Sequence, residues 1–358
     1  MALLFFEGFE GLGGAATNPA DALISRRFSI SDPNDLFIYA GAYDGGLACR
    51  YADTSGSIQY YAGPDSGNVS TVSEKIWGMD IRVLEDWDFI TSTKSLFRWV
   101  TDTGWFSCAL RVYNDGTLTL VNHSSVSQGI SRQRAVRQGG WNRIQVKLTC
   151  HQSAGTCEVK VNGETVMDLT GIDTAASTNG TSHTRVYCYS PTGSTPAAPY
   201  YDNIWIADTA GSTFNDFMGP LTVEAFYPTG DDTLEWTPST GSTGYEVTDE
   251  TPPNDDTDYI SESTTSNVAI FTTGNLPANA DTVYGVRTTA DVRLSVGGAE
   301  SYKQLIESGG IEYPSSIAHD LTLATYVYQA DYWGQDPDTS ADWTINGVNT
   351  AKFGVEMQ

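Results

Sequence analysis

The chain has 358 residues, with 19 Lys and Arg against 44 Asp and Glu and a formal net charge of −25. That length suggests two domains, and 40% apolar residues can build packed cores. The charge excludes nucleic acid, whose binding rests on Lys and Arg neutralising phosphates, and it excludes an anionic membrane surface. No apolar run approaches the roughly 18 residues of a spanning helix.

The opening, MALLFFEGFEGLGG, meets acid at Glu7 and lacks a basic stretch, so it is not read as a secretory leader. Tyr39, Tyr43, Tyr51, Tyr60 and Tyr61 then cluster, followed by Trp87, Trp99 and Trp105. Exposed aromatic faces could stack sugar rings, but alternation turns at least half of them into a core. Period-two alternation sets Trp77, Met79, Ile81 and Val83 on one face, and Phe106, Cys108, Leu110 and Val112 on another. Asp115-Gly116 turns that run towards Leu118 and Leu120. In WNRIQVKLTC, Ile144, Val146, Leu148 and Cys150 face one way and Arg143, Gln145 and Lys147 the other; Asn162-Gly163 closes the next hairpin. Two-faced strands of this kind predict antiparallel sheets with one wet side. Only SYKQLIES (301–308) and DWTINGVNTAKF (342–353) read as short helices. The fold class is therefore all-β.

Charge is uneven along the chain. Residues 1–210 carry 15 basic and 21 acidic residues; residues 211–358 carry 4 and 23. The shift predicts a domain over 1–209, a linker over 210–220 and an acidic β domain over 221–358. Of the five cysteines, Cys150 and Cys157 could bridge across a hairpin, or all five could be buried thiols. No CxxC pair occurs, so a Cys/His zinc site has no support.

FFEGFE, YDGGLACRYADTSGSIQYY, the WNRIQVKLTC–CEVKVNGETV hairpin and YYDNIWIAD follow one another in an order that resembles the concanavalin A-like lectin/glucanase jelly roll, in its laminin-G-like branch. The stretch from Gly219 to Ser261 and the ending DPDTSADWTINGVNTAKFGVEM resemble segments of tailed-bacteriophage virion proteins. The resemblance implies a jelly roll followed by an acidic β domain in a virion structural protein. Tail, fibre and capsid decoration are all compatible. It would be assembled in the host cytoplasm with other virion proteins, as a homo-oligomer, with a trimer favoured by precedent in that class. It also implies a structural Ca²⁺ between first and last strands, on Glu10 and Asp202. The alternative is a strand-end Asp bonded to amides beside a solvated Glu.

Catalytic patterns are sparse. Glucanases of this scaffold set carboxylates at alternate strand positions, E-x-D-x-E or E-x-D-x-x-E. Here Glu85 and Asp88, and likewise Glu246 and Asp249, are three apart and would face opposite sides of a strand. No G-x-S-x-G elbow occurs, and His123, His151, His183 and His319 fall in turn-like contexts. The acidic loop 249–259, with Asp255, Asp256 and Asp258, lacks the spacing of a helix-flanked calcium loop and reads as a solvated turn. Arg132, Arg134, Arg137 and Arg143 form the one basic cluster, expected to dock onto an acidic surface or to be solvated. The expectation is a non-enzymatic virion component that needs no cofactor beyond that Ca²⁺ and has no nucleic-acid partner or membrane insertion. A phage module adhering to host-surface glycan is the alternative, and a polysaccharide hydrolase the third reading.

Overall fold

The computed structural model describes residues 3–9, 28–30, 36–40, 47–51, 57–61, 72–82, 95–113, 115–176, 181–189, 199–250, 253–324 and 326–358. Glu10, Glu85, Asp88, Trp87 and Tyr43 lie outside them. The chain divides into two compact units, the first running to Val223 and the second from Glu224 to Gln358. Both are built almost wholly from antiparallel strands.

The first unit begins with β1 (Leu3–Glu7), β2 (Phe28–Ile30), β3 (Leu36–Ala40), β4 (Leu47–Tyr51), β5 (Ser57–Tyr61), β6 (Glu74–Arg82), β7 (Phe97–Thr101) and β8 (Phe106–Val112). It continues with β9 (Leu118–Asn122), β10 (Ser127–Ile130), β11 (Trp141–Thr149), β12 (Gly155–Val161), β13 (Glu164–Ile172), β14 (His183–Tyr189) and β15 (Tyr200–Asp208). An eight-stranded sheet runs β13-β12-β11-β6-β15-β4-β3, with β1 also on β15. A seven-stranded sheet runs β10-β9-β8-β7-β14-β5-β2. Non-sequential neighbours such as β6 and β11 mark the long crossovers of a jelly-roll sandwich.

Register explains the core. Ile144 lies opposite Met79 and Val161, and Val146 opposite Trp77 and Val159, so their side chains share one face. All are buried, as are Phe97, Trp99, Leu110, Leu120 and Val186 of the other sheet. Asn162 and Gly163 both take positive φ, which the tight β12–β13 turn requires. The described cysteines Cys49, Cys108, Cys150 and Cys157 are buried thiols, and no disulfide joins 150 to 157. Burial pushes the thiols of Cys150 and Cys157 up to about 12.

The polar face of β11 is not wet, contrary to the alternation reading. Residues 216–223 lie along it. Arg143 donates to the carbonyl of Leu221, Gln145 to that of Met218, and Lys147 pairs with Asp216 at 3.2 Å. Gly8 is needed under this segment, because a Cβ there would stand 2.5 Å from Val223.

The second unit contains β16 (Pro228–Leu234), β17 (Thr237–Pro238), β18 (Ile260–Ser261), β19 (Val268–Thr273), β20 (Val286–Val292), β21 (Ser301–Ser308), β22 (Ile311–Pro314), β23 (His319–Asp320), β24 (Val327–Trp333) and β25 (Lys352–Met357), with α1 (Ile345–Thr350) before the last. Its main sheet runs β16-β19-β25-β21-β22, and β20 pairs with β24. SYKQLIES is thus a central strand, not a helix. Its apolar positions 302, 305 and 306 suit either period, and pairing with β22 and β25 decides. Of 342–353, only Ile345–Thr350 is helical, capped by Thr344 Oγ1 accepting from the Gly347 amide at 2.9 Å.

Candidate functional site: the outward face of the seven-stranded sheet

The core of the first unit takes alternate residues of β7, β8 and β14; the intervening ones point outward. Tyr187 lies opposite Arg98, and Arg98 opposite Ala109. Arg185 lies opposite Val100, which lies opposite Phe106; Arg111 lies opposite Thr119. Since side chains two apart on a strand share a face, Arg185, Arg98 and Arg111 stand on one face and on successive strands β14, β7 and β8. Each is displaced two residues from the last, giving a straight diagonal with steps of roughly 8 Å from strand spacing and rise. All three are partly exposed. Between them Ala109, Val121, Val100 and Thr119 are small and buried, so the long side chains make the surface.

Local contacts set these guanidiniums. Arg98 lies over the Phe106 ring, 3.9 Å from its centroid, an arrangement that holds the cation in place. Arg111 donates through Nη2 to Ser125 Oγ at 3.2 Å, and its buried Nε has no hydrogen-bond partner. Tyr187 puts a phenol in the same row as Arg98. None of the described residues in these rows is a carboxylate. Three arginines and a tyrosine thus share one face of a strongly acidic chain.

The residues singled out from sequence fall elsewhere. Asp202 is buried on β15, opposite Asp80, and its Oδ1 accepts from the Asn203 amide at 2.7 Å. The cation resting on Glu10 and Asp202 stays an expectation, as Glu10 is outside the described residues. The four arginines do not share one surface. Arg143 is buried and grips Asp80 through Nε and Nη2 at 2.9 and 2.8 Å. Arg132 forms an exposed pair with Glu164 at 2.6 Å, while Arg134, at φ 56°, and Arg137 are exposed in the loop after β10.

Other candidates also change character. Glu246 sits in a short 3₁₀ turn, Tyr245–Val247, not on a strand. In the acidic loop, Asp256 pairs with Arg293 and accepts from Tyr326, and Asp258 accepts from Asn254 at 2.8 Å. His123 and His151 are exposed turn residues as read, but His183 and His319 are not. His183 is a buried strand residue whose Nε2 meets Ser107 Oγ at 2.8 Å and the Thr174 carbonyl at 2.9 Å. Burial lowers it to about 4, so it stays neutral. Of the tryptophans, Trp99 is in the core and Trp105 is 61% exposed.

No family model matches the sequence, and no curated protein matches it. Solved structures do align. Alginate lyase Aly36B shares 13% identity over 57% of this chain and 96% of its own, with TM-score 0.39. Domain 4 of AbnA, a GH43 extracellular arabinanase from Geobacillus stearothermophilus in complex with arabinotriose, shares 13% over 58% and 92%, with TM-score 0.38. Alginate lyase vAL-1 from Chlorella virus shares 14% over 54% and 97%, with TM-score 0.35. These likenesses concern the fold alone. The virion reading is corrected here: the aligned structures are named for processing or holding carbohydrate, and none of the comparisons supports a role in a particle. The expectation of a chain without enzymatic activity is withdrawn with it, since alginate lyases and a domain of a GH43 arabinanase are among the structures that align.

Proposed function

We propose that the first unit is a carbohydrate-processing module that holds an acidic polysaccharide across the outward face of its seven-stranded sheet. One observation carries this reading: Arg185, Arg98 and Arg111 stand in a diagonal on three adjacent strands, beside Tyr187 and Phe106, with no carboxylate among the described residues of those rows. Guanidinium forks pair with carboxylates through two parallel hydrogen bonds, and the Tyr187 ring offers a face for a sugar ring. A linear chain with an anion on successive sugars matches a linear row of cations.

The pairing of Tyr187 with Arg98 favours eliminative cleavage as the processing step. Arg98 would neutralise a uronate carboxylate, and the phenol oxygen would pass the neighbouring carbon's proton to the leaving glycosidic oxygen as the carbon–oxygen bond breaks and a carbon–carbon double bond forms. Incubation with polyuronates and neutral glucans tests both levels. Binding of the acidic polymers alone supports the face, and ultraviolet absorbance from the new double bond, lost in Tyr187→Phe, supports elimination. Equal retention of neutral and acidic polymers would count against the face.

A further inference from the structure

We infer that the acidic chain on the sheet face runs on past Arg111, over the ring of Tyr113, to Arg134 and Arg137 in the loop after β10. This rests on the polyuronate reading above and adds a second subsite to it. The row Arg185, Arg98, Arg111 advances towards the C-terminal end of β8. Val112, which follows Arg111, is buried. The Tyr113 amide donates to the Thr117 carbonyl at 2.9 Å, so the β8–β9 ladder continues and Tyr113 returns to the face of Arg111. It lies about 7 Å further along the strand direction and is 44% exposed.

The turn beyond Tyr113 is where the arginine loop is fastened. The Arg134 amide donates to the Asp115 carbonyl at 2.9 Å, and the Val136 amide to that of Gly116 at 3.0 Å. Gly116, at φ 75°, permits this approach, since a Cβ there would stand 2.3 Å from the Val136 oxygen. Ala135 and Val136 are buried. Asn142 ties down the far end: its Oδ1 accepts from the Arg137 amide at 2.7 Å, and its Nδ2 donates to the carbonyls of Arg137 and Gly140 at 2.8 and 3.0 Å. A segment so pinned loses little freedom when its side chains take a ligand.

What the loop presents is positive charge. Arg134 and Arg137 are exposed, and among the described residues no carboxylate pairs with either. The neighbouring charges are engaged elsewhere: Glu164 takes Arg132, and Asp115 Oδ1 accepts from the Thr117 amide at 2.9 Å. Two guanidinium forks beyond one exposed ring suit further carboxylates with a stacked sugar before them. The acidic surface of another protein would use the arginines and leave the ring idle.

Calorimetry with a short oligouronate, long enough for the sheet-face row alone, and with a longer one separates the two subsites. In wild type the longer chain should bind about tenfold tighter, the share of the added charge-assisted contacts. Joint replacement Arg134→Gln and Arg137→Gln should abolish that gain and leave the affinity for the short oligomer unchanged. Tyr113→Ala should reduce the gain, and Tyr113→Phe should keep it, because stacking needs the ring and not the hydroxyl. Unfolding temperatures equal to that of wild type would show that the variants fold. Equal affinity of wild type for both lengths, or a gain that survives in the double variant, would overturn the second subsite and leave the sheet-face reading standing. Absence of binding at either length would overturn both. A double variant that keeps the gain but loses self-association in sedimentation would mark the loop as a protein contact and overturn the proposal as well.

Discussion

Arg143 and Asp80 form a two-pronged ion pair on the covered face of β11 and β6, and Asn203 Nδ2 adds a third bond to Asp80 Oδ2 at 3.0 Å. Buried pairs of this kind add little over an apolar replacement, yet cost much when one partner is removed. Arg143→Ala should therefore lose about 3–5 kcal/mol in urea unfolding, whereas an exposed residue such as Arg137 should be nearly silent. Close packing sets a second limit. A Cβ on Gly78 would stand 2.0 Å from the Trp205 ring, so Gly78→Ala should cost about 1–3 kcal/mol or displace the indole, seen as a shifted Trp emission. His183 supplies the pH dependence. Its pKa falls from 6.5 to about 4 on folding, so the unfolded chain takes the proton first. Its stabilising effect is complete above pH ~6.5 and drains away as pH falls to about 4. The first unit's unfolding temperature should drop across that window, and His183→Gln should flatten the slope.

At the scale of elements, Thr344 caps α1 in a helix only six residues long. Thr344→Ala should cost about 1 kcal/mol, read from the second unit's unfolding transition. This helix and most strands of the first unit were legible in the sequence. The alternation of Ile144, Val146 and Leu148 named the inward face of β11, and register with Met79, Trp77 and Lys75 agrees. What alternation could not reveal is the cover on its other face. Arg143, Gln145 and Lys147 look like solvent-facing residues, because the segment that buries them lies some seventy residues later. The same blindness to partners made SYKQLIES look helical. The candidate site was less legible still. Arg98, Arg111 and Arg185 carry no local motif, and a bulge between Trp99 and Val100 helps set their row. The one signal available was an arginine at an outward position of an otherwise apolar strand, as in FRWVT and FSCALRV.

For the whole molecule, the net charge of −25 makes three arginines on one face informative. General repulsion disfavours polyanions, so binding one requires a local array, and screening should weaken that array as salt rises. Nothing comparable is needed for a neutral glucan. The account's central claim is tested most directly by calorimetric titration of an oligouronate into wild type and into Arg111→Gln, at low and high ionic strength. Arg111 is the informative position because it ends the diagonal and is partly exposed. Saturable binding that falls with salt and drops about tenfold in the variant, the share of one charge-assisted contact, is the predicted result. Binding of equal strength in both proteins, indifferent to salt, would contradict it.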